Sequence, residues 1–488
     1  MSYPSLLFTG KASGRRVAPH VFEDVKLTLF FTPEAVSAME VLCQPEDIPV
    51  RQAMFRSLLA DKPARDRLAA LAVIAGDIQR LRDALENVKC ENELHYIFVC
   101  LMAETADFYE AAAACSGEGG PLLRRFTDWF RAAAAEGEWT ALAQQARDLR
   151  EQARIARRET FRTEGDNLWL RLEYAESYVE KLQRCARDLG LSDSPLVRDT
   201  TIRLDARMVN ALARLHPAAF LAFKAFYEAY ASRFDESILS YRYELNFYLE
   251  ALRLLDRVRA AGLPLCWPVL SEEKALRIHG LRDISLLHKN ETDIVPNDAV
   301  FTGEEPFFFL MGANGGGKTT YLRSLGIAAL LFRAGCPICA EEAAIWPMDG
   351  VFTHFPQDER FEADGRFADE QKRVAEMLAA QNGNSLILLN ETYSTTNEEL
   401  AIACTVKLAR ELMESGSLSL YITHQHGLEA AEAPFLSVIV DERDANRRTF
   451  RIARQKEAAG SYAADILRRY GLDRASLIRR YPAEEARV

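Results

Sequence analysis

At 488 residues the chain is longer than one ordinary domain, and its 49% of hydrophobic residues is enough for at least two cores, so two or three domains are expected. The 71 acidic residues against 60 basic ones give a net charge of −11, which argues against coating nucleic acid by bulk charge and leaves room only for a local basic groove. Nine cysteines scattered from Cys43 to Cys404 do not form a disulfide framework and fit a reducing, cytoplasmic setting. Met1 to Gly10 lacks a basic start followed by a long apolar run, and the most apolar long segment, Leu325 to Ala340, is short for a membrane span and contains Arg333, so no membrane partner is expected.

From about Phe22 to Ala261 the pattern is helical and rich in Ala, Leu, Arg and Glu. Ile238, Tyr241, Leu245, Tyr248, Leu249, Leu252 and Leu255 recur at steps of three and four, as one buried helix face requires. An interruption is expected between Ala156 and Glu173, where Glu164-Gly-Asp-Asn167 is turn chemistry and Leu168 to Glu173 alternates like a strand. Just before it Arg147, Arg150, Arg154, Arg157, Arg158 and Arg162 make a stripe that would suit phosphates. Asp148, Glu151 and Glu159 stand at pairing distances, which favours a solvated, neutralised helix face. Gly262 to Pro268, with two prolines, marks a boundary. Beyond it the apolar runs Phe307 to Met311, Leu386 to Leu389, Leu418 to Ile422 and Leu436 to Val440 alternate with helical segments, the pattern of a largely parallel sheet flanked by helices.

The run Gly312-Ala313-Asn314-Gly315-Gly316-Gly317-Lys318-Thr319, followed by Thr320, satisfies G-x-x-x-x-G-K-[ST] directly after an apolar strand and before a helical segment. Such glycines let backbone N–H groups curl around phosphates, Lys318 would reach the β- and γ-phosphates, and Thr319 would place a hydroxyl on Mg²⁺. A Gly-rich structural turn is the bland alternative. At the end of the Leu386–Leu389 run, Glu391 sits where a general base would orient an attacking water. Asn390 sits where an Asp would hold Mg²⁺ through its hydration shell; Asn keeps the oxygen and loses the charge, so metal affinity falls. It could also simply end a buried strand. His424, closing Tyr421-Ile-Thr-His, reads as a γ-phosphate sensor rather than a structural histidine, whereas His424-Gln-His426 has no neighbouring Cys or carboxylate to make a metal site.

With Asn314 inside it and Tyr321-Leu-Arg323 after it, this loop resembles that of the MutS-type ATPases, relatives of the ABC and SMC ATPases. Thr395 to Glu399 is similar to the loop after their second strand, and Ser461-Tyr462-Ala463 with the helix after it is similar to their C-terminal dimer segment. Cys336 and Cys339 fall where these proteins have a small-residue turn, which reads them as packing rather than redox groups. The resemblance is specific from about Arg277 to Leu472 and extends upstream through Leu263–Pro268, Glu244–Leu249 and Val50-Arg51-Gln52. It implies a mainly α N-terminal half over 1–272, core-, lever- and clamp-like, followed by an α/β P-loop (ABC-like) ATPase domain over 273–488 with C-terminal dimerisation helices. It further implies ATP and Mg²⁺ as cofactors, a homodimer, duplex or branched DNA as partner, and a place near the adenine for Ile294.

Departures from the family pattern shape the functional expectation. The stretch ahead of the ATPase is too short for mismatch-reading and connector domains, no Phe-x-Glu wedge appears near the start, and no Smr-type nuclease follows, so mismatch recognition is not implied. Asp358 and Glu359 match the family's acidic pair, but Gly365-Arg-Phe-Ala-Asp-Glu370 lacks the Ser that completes the opposite subunit's site. Two readings stand side by side. One is a DNA-associated ATPase whose nucleotide state moves helical arms; the other is a nucleotide-sensing module with weak or no hydrolysis that holds a protein partner.

Overall fold

The structure is a computed structural model that describes residues 3–10, 12, 14–115, 120–157, 160–164, 167–171, 184, 206–356, 366–394, 397–440, 448–455, 471–472 and 474–480. The first half is helical: α1 (Pro19–Asp24), α2 (Pro33–Glu40), α3 (Asp47–Ala60), α4 (Lys62–Leu85), α5 (Glu91–Ala113), α6 (Gly120–Ala134) and α7 (Gly137–Arg157). After the strands β1 (Thr160–Glu164) and β2 (Asn167–Arg171) come α8 (Ala206–Leu215), α9 (Pro217–Tyr230) and α10 (Ser240–Ala260). The second half mixes strands and helices: β3 (Val269–Leu270), β4 (Ala275–Leu281), β5 (Asn297–Thr302), β6 (Phe307–Met311), α11 (Lys318–Arg333), β7 (Glu342–Ile345) and β8 (Gly350–His354). It continues with α12 (Arg366–Ala380), β9 (Ser385–Asn390), α13 (Glu398–Ser415), β10 (Leu418–Ile422), β11 (Phe435–Val440), β12 (Arg448–Gln455) and α14 (Arg474–Arg480). Among the described residues no helix is long and apolar enough to cross a membrane.

Contacts divide the chain into Met1–Thr9 with Ala53–Leu249, and Gly10–Gln52 with Glu250–Val488. The division falls inside α10, upstream of the Gly262–Pro268 break. In the first unit α5 is buried almost all round, from Tyr96 to Ala103 without interruption, because α4, α6, α7, α8 and α9 all pack on it. A helix apolar on every side has to be central. Phe108, Phe126, Phe130 and Tyr241 form an aromatic knot at one end. Glu244 ties the N-terminal segment to it, accepting from Ser5 Oγ at 2.8 Å, while Tyr248 Oη donates to the Leu6 carbonyl at 2.8 Å. The expected interruption is a hairpin, β1 and β2 pairing antiparallel from Thr160↔Arg171 to Glu164↔Asn167.

The second unit holds two sheets. Six strands run in the order β12-β11-β6-β10-β9-β8, parallel except for β12 against β11, and four in the order β3-β7-β4-β5. β6 and β10 are buried along their whole length and β9 up to its last residue, which is why they read as mostly apolar runs rather than alternating ones, with Ser385 and Ser419 as buried polar exceptions. One face carries Phe307, Phe309, Ile387, Leu389 and Tyr421 against Val374 and Met377 of α12 and Leu408 and Leu412 of α13. On the other face α11 approaches so closely that a Cβ on Gly326 would lie 3.0 Å from Leu388 Cδ1 and 2.5 Å from Val25 Cγ1. Cys336 and Cys339 are buried, and that burial raises both thiols, Cys339 to about 12.

Candidate functional site

The central strands set the site by their register. Leu310, Ile422 and Asn390 lie side by side across β6, β10 and β9, so the three chain segments that follow leave the sheet at one edge. Carboxyl ends of parallel strands are where such sheets form crevices. The Thr423 N–H donates to the Leu310 carbonyl at 3.2 Å and the Glu391 N–H to the Ile422 carbonyl at 2.9 Å. Sheet geometry therefore brings the glycine loop, His424 and Glu391 together.

The loop from Gly312 to Gly317 is drawn too tightly for side chains. Gly312 has φ 139° and a Cβ there would lie 2.8 Å from Val438 Cγ2; Gly317 has φ 95° and serves as the N-cap of α11 with no side-chain cap. The first N–H groups of α11 thus have no side-chain acceptor and remain available to an anion. Lys318 is buried, and its Nζ donates to the carbonyls of Gly312 at 2.7 Å and Ala313 at 3.3 Å. Burial lowers its pKa to about 8, with Glu391 opposing the shift and Arg448 adding to it. Lysine and loop together form a cationic concavity.

Opposite the loop, Glu391 has a left-handed backbone, φ 54°, unusual for a non-glycine residue and costing roughly 1 kcal/mol. Its Oε1 lies 3.3 Å from His424 Nε2. The hydrogen bond with His424 holds the Glu391 carboxyl below the usual carboxylate range; burial works the other way, and the charges of His424 and Lys318 reinforce the lowering. Asn390 Oδ1 is buried without a hydrogen-bond partner among the described residues. An orphaned buried acceptor beside a carboxylate is a place for a donor the protein does not itself supply, such as a water.

Ile294 lines a cavity of about 240 Å³ together with Asn297, Thr320, Tyr321 and Phe450, and with Gly315 and Gly317 at its edge. Two of the residues around the loop, Phe450 and Arg448, belong to no motif in the sequence. Phe450, with φ 54° and 44% exposed, stands over Gly317, and Arg448 donates to the Asn314 carbonyl. Asn297 holds their strand, accepting from the Ile452 N–H at 2.7 Å and donating to the Phe450 carbonyl at 3.0 Å. The β-compatible composition of Arg448–Gln455 is the one signal the sequence offers for them. Ala313, Asn314, Gly315, Gly316 and Thr319 lie in the loop and the first turn of α11. Asp358, Glu359, Gly365, Thr395, Thr396 and Ser461 to Ala463 lie outside the described residues.

Among the described residues no group of three or more His, Cys, Asp or Glu is placed to hold a metal ion. In the arginine stripe, Arg147 pairs with Asp107 at 3.0 Å and Glu110 at 2.6 Å, and Arg150 with Glu104 at 3.1 Å and Asp107 at 2.6 Å. For Arg147 and Arg150 these paired carboxylates stand on α5; Arg154, Arg157, Arg158, Arg162 and Glu159 lie outside the residues whose side chains are described.

Residues 308–483 match the family described as MutS domain V. The DNA mismatch repair protein MutS of Chlorobium limicola is 30% identical over 181 residues, 36% of this chain and 20% of that protein. Endonuclease MutS2 of Thermus thermophilus is 31% identical over 189 residues, 37% of this chain and 24% of that protein. DNA mismatch repair protein Msh3 of Mus musculus is 29% identical over 164 residues, 33% of this chain and 15% of that protein. The similarity thus spans less than a quarter of the length of these relatives, and the family match falls on the α/β part of the chain.

Proposed function

From the match of residues 308–483 to the family described as MutS domain V, we propose that the chain is an ATP-binding and ATP-hydrolysing MutS-like protein. In this reading it associates with DNA, duplex or branched, as a homodimer whose nucleotide state moves its helical arms. The observation that carries the proposal is the meeting of the glycine loop, Lys318, Glu391 and His424 at one sheet edge.

The N–H groups of Gly315, Gly316, Gly317 and Lys318 and the first turn of α11 would hold the phosphates, and Thr320 and Ile294 would face the sugar and adenine from the cavity. Lys318 would leave the Gly312 and Ala313 carbonyls for the β- and γ-phosphate oxygens, regaining in charge pairing what it loses in hydrogen bonds. Thr319 would offer its hydroxyl to Mg²⁺, and the orphaned Asn390 Oδ1 would accept from a water of its shell. The cation, when bound, neutralises charge on the phosphates. Glu391, kept ionised, would orient the attacking water and take its proton, and His424 would donate to the γ-phosphate. DNA as partner rests on the relatives named as DNA repair proteins.

The reading of a nucleotide-sensing module with weak hydrolysis is favoured by Asn390, which brings no charge to the metal side of the site. Turnover of ATP by the purified chain, with and without duplex or branched DNA, separates the two when run beside Glu391→Gln. Turnover no faster than that variant, with no DNA retained at moderate salt, would overturn the hydrolytic, DNA-associated reading. Unchanged ATP binding by Lys318→Ala would overturn the site itself.

A further inference from the structure

The residue next to Glu391 is gripped from several elements at once. Thr392 is 1% exposed and lies between two left-handed non-glycine residues, Glu391 at φ 54° and Tyr393 at φ 62°. Such a turn persists only where its surroundings over-determine it. Here Tyr421 Oη, from β10, donates to the Thr392 carbonyl at 2.5 Å and lies 3.1 Å from Thr405 Oγ1 of α13. Glu370 Oε1, from α12, accepts from the Tyr393 N–H at 3.0 Å, and Gln425 Nε2 donates to the Tyr393 carbonyl at 3.4 Å. The side chain of Thr392 itself meets His354, the last residue of β8, with Oγ1 2.9 Å from Nδ1.

His354 is 3% exposed, and its Nε2 has no hydrogen-bond partner among the described residues. A proton on Nε2 would bury an unpaired N–H, whereas a proton on Nδ1 leaves only a lone pair unmatched, the cheaper arrangement. Nδ1–H therefore donates to Thr392 Oγ1. Burial, with the charges of Arg373 and His20 nearby, lowers the ring's pKa to about 4, so this neutral form persists at physiological pH.

We infer that His354 is a positioning residue for Glu391: by holding the Thr392 hydroxyl it maintains the left-handed turn that sets the Glu391 carboxylate beside His424. It touches no reacting atom and acts through Thr392 alone. The inference rests on the proposed role of Glu391, and it adds a residue that no motif marks. A catalytic group displaced by about 1 Å can lose on the order of 100-fold in rate without a change in ligand binding, so the signature is a fall in kcat at nearly constant KM.

The test is steady-state ATP turnover by the full chain for His354→Phe, His354→Asn, Thr392→Val, Thr392→Ser and Glu391→Gln. His354→Phe and Thr392→Val are each expected to lower kcat about tenfold or more with KM little changed. His354→Asn, whose amide can reach the Nδ1 position, and Thr392→Ser, which keeps the hydroxyl, restore most of the rate. The double variant His354→Phe/Thr392→Val is no slower than either single one, because both break one contact. Wild-type kcat in His354→Phe while Glu391→Gln is inactive overturns the inference, as does a loss shared equally by the conservative pair. Should His354→Phe fail to fold, the comparison of Thr392→Val with Thr392→Ser decides the same question. An active Glu391→Gln instead overturns Glu391 as the general base and the positioning role with it.

Discussion

At the residue scale, burial lowers the Lys318 pKa to about 8 without ligand, so above that pH it increasingly loses the charge that would attract phosphates. Bound phosphate would raise the pKa again, so nucleotide binding takes up a proton on the alkaline side. Affinity for ATP should be flat near pH 7 and fall as pH rises through 8 toward 9, by up to about tenfold per unit. Fluorescent-nucleotide titrations over that range check it, and a flat profile would count against Lys318 as the phosphate-binding group. Lys318 follows its glycines directly, and Glu391 and His424 each end an apolar run, so local pattern exposes them. His354, Arg448 and Phe450 reach the same neighbourhood through strand order, which no local pattern encodes.

At the scale of elements, the helical half was readable from its periodicity: Tyr241, Leu245, Tyr248, Leu252 and Leu255 of α10 and Ile238 in the turn before it are buried, while Leu249 is half-buried. The arginine stripe shows what periodicity leaves out. It presents Arg147 and Arg150 as a surface, yet which carboxylates meet them depends on α5 lying against α7, a contact between segments far apart in sequence. Glu104 is nearly buried and Arg150 Nη1 lies 3.1 Å from its Oε1, so removing that cation weakens the pairing of a buried charge rather than freeing a surface. Arg150→Ala should cost about 1–3 kcal/mol of stability through lost charge-assisted hydrogen bonds, and leave DNA retention unaltered. Thermal denaturation and a DNA-binding assay on the same preparation separate these outcomes; weakened DNA binding at unchanged stability would restore the stripe as a phosphate surface.

For the whole molecule, the helical first half and α/β second half were visible in the switch from steps of three and four to short apolar runs. Strand order was not, since β6, β9 and β10 are buried on both faces and mostly apolar sequences carry no label for their neighbours. Nor did the chain announce that residues 10–52 would join the later half. If nucleotide closes a homodimer, the 54.9 kDa chain should shift toward twice that mass when ATP is held unhydrolysed. Light scattering on Glu391→Gln with ATP and Mg²⁺ checks this, with Lys318→Ala as the variant that stays unshifted. Identical masses with and without nucleotide would remove dimer closure from the mechanism.

The strand that leans over the glycine loop is also the rim of its sheet. Among the described residues β12 has a strand neighbour on one side only, and a bare rim invites another chain to add a strand. Asn297 occupies the outward Ile452 N–H, Arg448, Arg451 and Arg454 set positive charge along the strand, and Arg454 is clasped by Glu305 at 2.6 and 2.7 Å. If the glycine loop captures nucleotide as proposed, that task and resistance to clumping fall to the same few residues. Asn297→Ala should weaken ATP binding and, in the same sample, raise turbidity on gentle heating, an effect that excess nucleotide would suppress if the two tasks share this strand.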